Sequence, residues 1–287
     1  MYLHLGNRVP VHGRWDAERK QTCQPRAGTM FSSTAMRRLS RVAAPLQSVG
    51  TASEAQTRLA LEAAILGCFV GDAAAVTSHW VYDQSSLSNH VNGTLGGEQH
   101  APFMEPINPF YHVRPGKLSC YGDQTLALLR SMAAAGKGAS DLGAYMQGLD
   151  LLCGEATEYG PLGRKIEKDD MPIQGPWRHG SLKEYFANVK AGESDPSKTG
   201  GEDKQIDGAC KMAPIVASFG ALGLGPTLTA AEAAIRVTQD SDEAVSMGLA
   251  FARILYAVAV ERAQPADAVL DCIDALRQED RLQPCAL

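Results

Sequence analysis

The chain has 287 residues, of which 45% are hydrophobic and 21% are charged, and its formal net charge is −5. This composition is typical of a soluble globular protein with a sizeable core, and the acidic balance excludes the basic footprint of a nucleic-acid-binding protein. No stretch holds the roughly 18 consecutive apolar residues of a membrane span, so we expect no membrane segment.

Residues 1–53 differ in composition from the rest of the chain. They carry eight Lys/Arg against two acids, and the part from Met30 onward has three arginines, several Ser/Thr and no acid. This pattern favours a transit peptide for a mitochondrion or plastid. The alternatives are a disordered basic tail, or upstream sequence before a start at Met30, either of which leaves a cytoplasmic protein. We therefore exclude residues 1–53 from the fold and assign the folded domain to 54–287.

The seven cysteines are odd in number and show no Cys-x-x-Cys spacing. Most lie in apolar segments, as small buried hydrophobic residues do. The pattern indicates a reducing compartment and argues against a disulfide framework or a zinc site.

The first predicted helix is alanine-rich and runs into a Gly-Asp pair. Apolar residues recur at helical spacing at Leu59, Ala63, Leu66 and Val70, which predicts a buried face. Gly67 and Gly71 lie on that face and would let another backbone approach closely. Asp72 follows at the end of the helix, where a buried carboxylate needs a partner or a metal ion. The structural alternative is a helix cap or a buried hydrogen-bond acceptor.

The remaining segments are predicted to be helices and loops. Turn-forming residues between Asn92 and Pro109 predict a long loop beyond Asp83, and residues 160–206 are mostly loop-like. Helices are expected over 125–135, 142–156, 182–189, 211–219, 230–236, 242–261 and 265–278. Because no convincing strand run appears, the sequence predicts an all-α protein.

Three further stretches hold polar groups. Asp123 lies at the start of a predicted helix, where the helix dipole favours an anion. Asp203, Asp207 and Lys211 follow at intervals of four residues. Residues 238–243 hold acids at a helix start, which capping explains without a metal.

Together, the order and spacing of these stretches resemble the ADP-ribosylglycohydrolase superfamily, in particular its J-type crystallin branch. The resemblance covers about residues 57–278. The matching segments are 67–74 for the family's opening Gly-Asp motif, 120–125 for its Thr-Asp-Asp-Thr metal motif, 207–214 for its Met-Pro cleft segment, and Thr238-Gln239 for its Thr-His pair.

The resemblance implies a single orthogonal all-α helical domain with a central cleft that holds two Mg²⁺ ions. It implies hydrolysis of the glycosidic bond of an ADP-ribosyl or related conjugate, presented by an ADP-ribose-like small molecule or an ADP-ribosylated protein. Carried over by position, Asp72 and Asp123 are metal ligands and, with His79, catalytic residues. The substrate-binding positions carried over in the same way are Gly71, Trp80, Asp203, Asp207 and Lys211.

The chain departs from the family pattern at the metal motifs. Of Thr-Asp-Asp-Thr only Asp123 is kept, since Tyr121, Gly122 and Gln124 replace the other three residues. The family's C-terminal Asp-x-Asp-Thr motif has no match before Leu287. We therefore expect a C-terminally incomplete domain with weak or absent Mg²⁺ binding. A noncatalytic ligand-binding or crystallin-like structural protein is the alternative to a hydrolase.

His79 occupies the position at which many active members carry a glutamate. A histidine there suits a general base with a pKa near neutrality. It equally suits a hydrogen-bonded core residue, and the sequence leaves both roles open.

Overall fold

The computed structural model describes residues 52–95 and 105–278, and helices make up nearly all of the regular structure there. The α-helices are α1 Ala52–Ala75, α2 Gln84–Leu95, α3 Cys120–Ala135, α4 Leu142–Cys153, α5 Gly180–Lys190, α6 Met212–Phe219, α7 Leu224–Arg236, α8 Asp242–Ala259 and α9 Pro265–Gln278. Short 3₁₀ turns cover Val76–Ser78, Lys168–Asp170, Ile206–Lys211 and Gly220–Leu222. The predicted all-α class is confirmed. The predicted leader lies almost wholly outside the described residues.

One short strand pair accompanies the helices. Strand β1, Tyr111–His112, runs parallel to β2, Ile173–Gln174, with Tyr111 opposite Ile173. Each strand has only two residues, too few for an alternating pattern, so periodicity in the sequence could not reveal it.

Helix α3 begins at Cys120, before the predicted start at residue 125, because Ser119 caps it. The Ser119 hydroxyl accepts a hydrogen bond from the Tyr121 N–H at 3.1 Å. This contact satisfies one of the free N–H groups in the first helical turn. Asp123 then lies in that turn, as the sequence predicts.

The prediction of a loop directly after Asp83 is wrong, because residues 84–95 form α2. The Asp83 carboxylate accepts from the Ser85 N–H at 3.0 Å and also from the Ser86 hydroxyl. A capping aspartate can start a helix in a segment of poor helix propensity, and composition alone does not reveal that capping.

The predicted buried face of α1 is also wrong in the described part of the chain. Leu59 and Val70 are 59% and 54% exposed. A Cβ atom built on Gly67 or Gly71 meets no atom of the described residues within 4 Å, so no backbone from that part of the chain approaches there. The other side of α1 packs inward, where the Cys68 thiol contacts the Cys210 carbonyl oxygen at 3.7 Å. Periodicity identified an apolar face but could not say which face is covered.

The buried residues form two hydrophobic clusters. The larger lies among α3–α8 and includes Leu128, Tyr145, Leu182, Met212 and Ile235. The smaller consists of Val76, Tyr111, Val113 and Ile173, with Trp80, Phe110 and Trp177 packed against it. Polar residues lie near these clusters at the end of α1, where Asp72 is found, and just before α3, where Ser119 is found.

By length and composition alone, Ser53–Ser78 could cross a membrane. Its mean hydropathy reaches 1.8, and 11% of its most apolar window is buried. Core helices of soluble proteins and signal sequences meet the same criterion, so this is weak evidence of a span.

Candidate functional site

Asp72 joins the end of α1 to the start of α3. Its Oδ2 accepts from the Ser119 N–H at 2.8 Å, and its Oδ1 accepts from the Ser119 hydroxyl at 2.5 Å. Burial raises the pKa of Asp72, and the two Ser119 hydrogen bonds oppose that rise. The position matches the buried-acceptor alternative that the sequence left open.

Gly122 leaves no room for a side chain beside this carboxylate. A Cβ atom at Gly122 would lie 2.3 Å from Asp72 Oδ2 and 2.9 Å from the Leu118 Cβ. Gly122 therefore permits the close approach of α1 to α3. It stands where the family pattern has a metal-binding aspartate.

His79 lies just after the 3₁₀ turn that follows α1. Its Nδ1 is 2.9 Å from the Tyr111 hydroxyl, and its ring packs against Trp80 and Tyr121, with centroids 4.4 and 5.5 Å away. Burial, together with the positive charge of His179, lowers the pKa of His79 to about 4. The imidazole is therefore neutral at physiological pH, which differs from the near-neutral pKa expected for a general base.

Asp72, His79, Ser119 and Tyr121 line one cavity of about 200 Å³, which we call the His79 pocket. Of the predicted catalytic residues, the structure thus brings Asp72 and His79 together. Asp123 lines a separate cavity of about 180 Å³ with Lys117 and Tyr159.

Asp123 has a different environment from Asp72. Its Oδ2 accepts from the Tyr159 hydroxyl at 2.8 Å. Burial raises its pKa to about 6; the Asp72 charge adds to the rise, and the Tyr159 hydrogen bond opposes it. A carboxyl group with such a pKa can exchange protons near neutral pH.

The predicted substrate-binding residues are scattered. Trp80 has a φ of 60° and packs edge-to-face against Phe110 and Trp177, with centroids 5.4 and 6.2 Å away. Gly71 is exposed, and Asp203 accepts from the Gln205 N–H at 2.8 Å outside the His79 pocket. A positive φ at a bulky residue is unusual, and such residues concentrate at functional sites.

Asp207 and Lys211 lie in a buried polar network that the sequence did not predict as a unit. Asp207 Oδ2 is 2.6 Å from His179 Nδ1 and accepts from the Ser181 hydroxyl at 2.9 Å. Burial raises the pKa of Asp207, but the interactions with His179 and Ser181 outweigh it and hold that pKa below its ordinary value. The side-chain amide of Gln124 lies 2.8 Å from His179 Nε2.

Lys211 supplies the cation at the other end of this network. Its ammonium group donates to the Thr238 hydroxyl at 2.5 Å, and that hydroxyl donates to Gln124 Oε1 at 3.4 Å. Lys211 is completely buried, and burial lowers its pKa to about 8. The matched segments 120–125, 207–214 and 238–239 each contribute a residue to this network, whereas His179 belongs to no recognisable spacing pattern, so the sequence did not link them.

Within the described residues, the positions of the family's first metal motif carry one carboxylate, Asp123. No group of three or more His, Cys, Asp or Glu side chains within residues 52–95 and 105–278 is placed to hold a metal ion. Both oxygens of Asp72 accept from Ser119, Gly122 offers no donor atom, and the Tyr121 ring stacks on His179 at 4.7 Å. Magnesium prefers about six oxygen ligands in octahedral geometry.

Comparisons with known proteins match the chain to one family. The family model described as ADP-ribosylglycohydrolase matches residues 53–286. Crystallin J1A of Tripedalia cystophora is 29% identical over 203 residues, and crystallin J1B of the same organism is 29% identical over 204 residues. Each alignment covers 71% of this chain and 59% of the relative, so the chain spans about three fifths of the length of these relatives. No solved structure matches the chain.

Proposed function

Because this chain belongs to the ADP-ribosylglycohydrolase family, we propose that it binds an ADP-ribosyl or related nucleoside-linked group in the His79 pocket without the family's two-magnesium hydrolysis. The ligand is an ADP-ribose-like small molecule or an ADP-ribosylated protein. Similarity to two crystallins supports a noncatalytic function of this kind.

The proposal rests on the contacts within the protein that are made by residues at and next to the family's metal-motif positions. Asp72 is held by Ser119, and Gly122 lies directly against Asp72. Gln124 is completely buried and contacts His179. Gly122 has no side chain and Gln124 is neutral, so Asp123 is the one carboxylate at the four positions of the first metal motif, whereas Mg²⁺ prefers carboxylate and water oxygens in a shell of about six ligands.

The His79 pocket offers suitable groups for a sugar. The neutral imidazole of His79 can donate or accept a hydrogen bond with a ribose hydroxyl, and the Tyr121 ring provides an aromatic wall. Ala75 and Val76 add apolar surface to this lining, so the pocket offers a sugar ring both polar and apolar contacts.

Hydrolysis without the metal pair is the second candidate, and the pKa of Asp123 favours it. A carboxyl group with a pKa of about 6, close to a second carboxylate, resembles the acid and base pairs of glycosidases. In this candidate Asp123 donates a proton to the leaving group.

Calorimetric titration of the full chain with ADP-ribose tests the binding proposal. We expect saturable binding that weakens about tenfold in His79→Gln, since each lost hydrogen bond costs about 1 kcal/mol and pocket packing changes as well. Tyr82→Phe is the control, because Tyr82 is 82% exposed and lines no described pocket. Absence of binding, or equal weakening in both variants, would overturn the proposal.

Release of free ADP-ribose from an ADP-ribosylated peptide separates the two candidates. The noncatalytic proposal predicts no release above the level of Asp123→Asn, with or without Mg²⁺. Release by the wild type that disappears in Asp123→Asn would instead establish the hydrolase.

A further inference from the structure

A larger cavity lies apart from the His79 pocket. It has a volume of about 370 Å³ and lies among the loop from Tyr159 to Ile166, the segment from Ile173 to Arg178, and helix α5. No residue lines both this cavity and the His79 pocket. Its size is that of a small-molecule site.

The lining of this cavity is positively charged. Among the described residues it holds four cations, Arg164, Arg178, Lys183 and Lys190, and no acid. Lys190 lies 3.5 Å from Glu155, which neutralises part of the charge. Arg164 and Lys183 form no ion pair with a carboxylate within the described ranges. An excess of positive charge therefore faces the cavity, which we call the basic pocket.

Arg178 fixes part of that charge in a buried position. It is 8% exposed and donates to the carbonyl oxygens of Cys153 at 2.7 Å and Gly154 at 2.9 Å, as well as to Tyr159 and Gly160. All of these acceptors are neutral carbonyl groups. The guanidinium charge therefore remains, and its interaction with an anion would be stronger here than in bulk water.

Lys183 lies at the aromatic side of the basic pocket. Its ammonium group is 4.4 Å from the centre of the Trp177 ring. Leu162, Ile166 and Phe186 supply apolar lining nearby. A ligand with an anionic group and an apolar ring would satisfy both the charge and the apolar surface.

We propose that the basic pocket binds a phosphate monoester with an aromatic body. Arg164 and Lys183 contact the phosphate, while Arg178 contributes a fixed positive field. The ring packs on the apolar lining. Arg and Lys are the usual phosphate-binding residues, and burial of a ring adds the hydrophobic contribution that free phosphate lacks. This site does not depend on the function proposed for the His79 pocket.

The test is calorimetric titration of the full chain with 1-naphthyl phosphate. We expect saturable binding that is at least about tenfold weaker for inorganic phosphate and for 1-naphthol, because the first lacks the ring and the second lacks the phosphate. Lys183→Met should weaken the binding of 1-naphthyl phosphate about tenfold. Lys165→Met is the matched control, since Lys165 is an exposed neighbour of Arg164 that does not line the pocket.

Three results in this titration would overturn the proposal, and the crossed variants below add a fourth. They are the absence of binding to the wild type, equal affinity of Lys183→Met and wild type, and equal weakening in Lys165→Met. The two sites are separated by crossed variants: His79→Gln should leave 1-naphthyl phosphate binding unchanged, and Lys183→Met should leave ADP-ribose binding unchanged. Loss of 1-naphthyl phosphate binding in His79→Gln would assign the ligand to the other pocket and contradict the basic-pocket site.

Discussion

At the scale of single residues, two nearby carboxylates have different electrostatic environments. Asp72 accepts two hydrogen bonds from Ser119, whereas Asp123 accepts one from Tyr159. Burial raises the pKa of both, and for Asp123 it reaches about 6. Because two negative charges repel, the charge of Asp72 adds to the rise in the pKa of Asp123.

Asp123→Asn should change how stability depends on pH. The unfolded carboxyl has an ordinary pKa of 3.8, so between about pH 4 and 6 the folded state binds more protons. The free energy of unfolding of the wild type should therefore fall as pH rises through this window, whereas the variant lacks this fall. Relative to the wild type, the free energy of unfolding of the variant should rise by about 1–3 kcal/mol between pH 4 and 7.

Urea unfolding at several pH values measures this difference. Asp169→Asn is the control, because Asp169 is exposed on a 3₁₀ turn and should show no comparable gain. A constant difference between Asp123→Asn and wild type across this range would show that the pKa of Asp123 is not raised.

At the scale of elements, the contact between α1 and α3 depends on two residues, Gly122 and Ser119. Ser119 caps α3 and also binds Asp72 of α1. Gly122 lets the two helices approach, since any side chain there would meet the Asp72 carboxylate. The site geometry therefore depends on the spacing of these two helices.

Gly122→Ala should destabilise the protein, whereas Gly67→Ala should stabilise it slightly. The new Cβ at 122 would lie 2.3 Å from Asp72 Oδ2, so the carboxylate or the helix must shift, at a cost of about 1–3 kcal/mol. At Gly67 nothing lies within 4 Å, and alanine in an exposed helix interior gains about 0.5–1 kcal/mol over glycine. Chemical denaturation of both variants measures the two effects. Equal effects would show that α1 and α3 are not in close contact at Gly122.

At the scale of the whole molecule, the buried polar network contains its own cation. Lys211 is completely buried and bonded to Thr238, which links through Gln124 to His179 and Asp207. Such networks are costly when incomplete, so a network that includes its own cation has little need of an added metal ion.

Mg²⁺ should therefore have little effect on the stability of the full chain. A site with a Kd of about 50 µM would add about 2.7 kcal/mol at about 5 mM Mg²⁺ and raise Tm by several degrees. We expect a shift of less than about 1 °C between EDTA and Mg²⁺. Scanning calorimetry measures it, with Ca²⁺ at the same concentration to control for ionic strength. A saturable shift of several degrees specific to Mg²⁺ would overturn this expectation.

Much of the architecture could be predicted from the sequence. The all-α class, the family, and helices such as α9 and the start of α8 followed from apolar periodicity, Pro265 in a first turn and motif order. These features are local in the chain, so the sequence displays them directly. Helix α2 could not be predicted because its start depends on the Asp83 cap, which composition does not reveal. The predictions of an organellar leader and of a missing C-terminal motif remain predictions.

For the site, the sequence determined which polar residues the chain carries, and the tertiary structure decided which of them meet. The motifs singled out Asp72, Asp123 and Asp207 among the polar residues of the chain. Only the packing of α1 on α3 placed Asp72 against Gly122, and only the approach of α5 brought His179 to Asp207. These contacts join residues far apart in the chain, and their energies depend on burial, which spacing along the sequence does not encode.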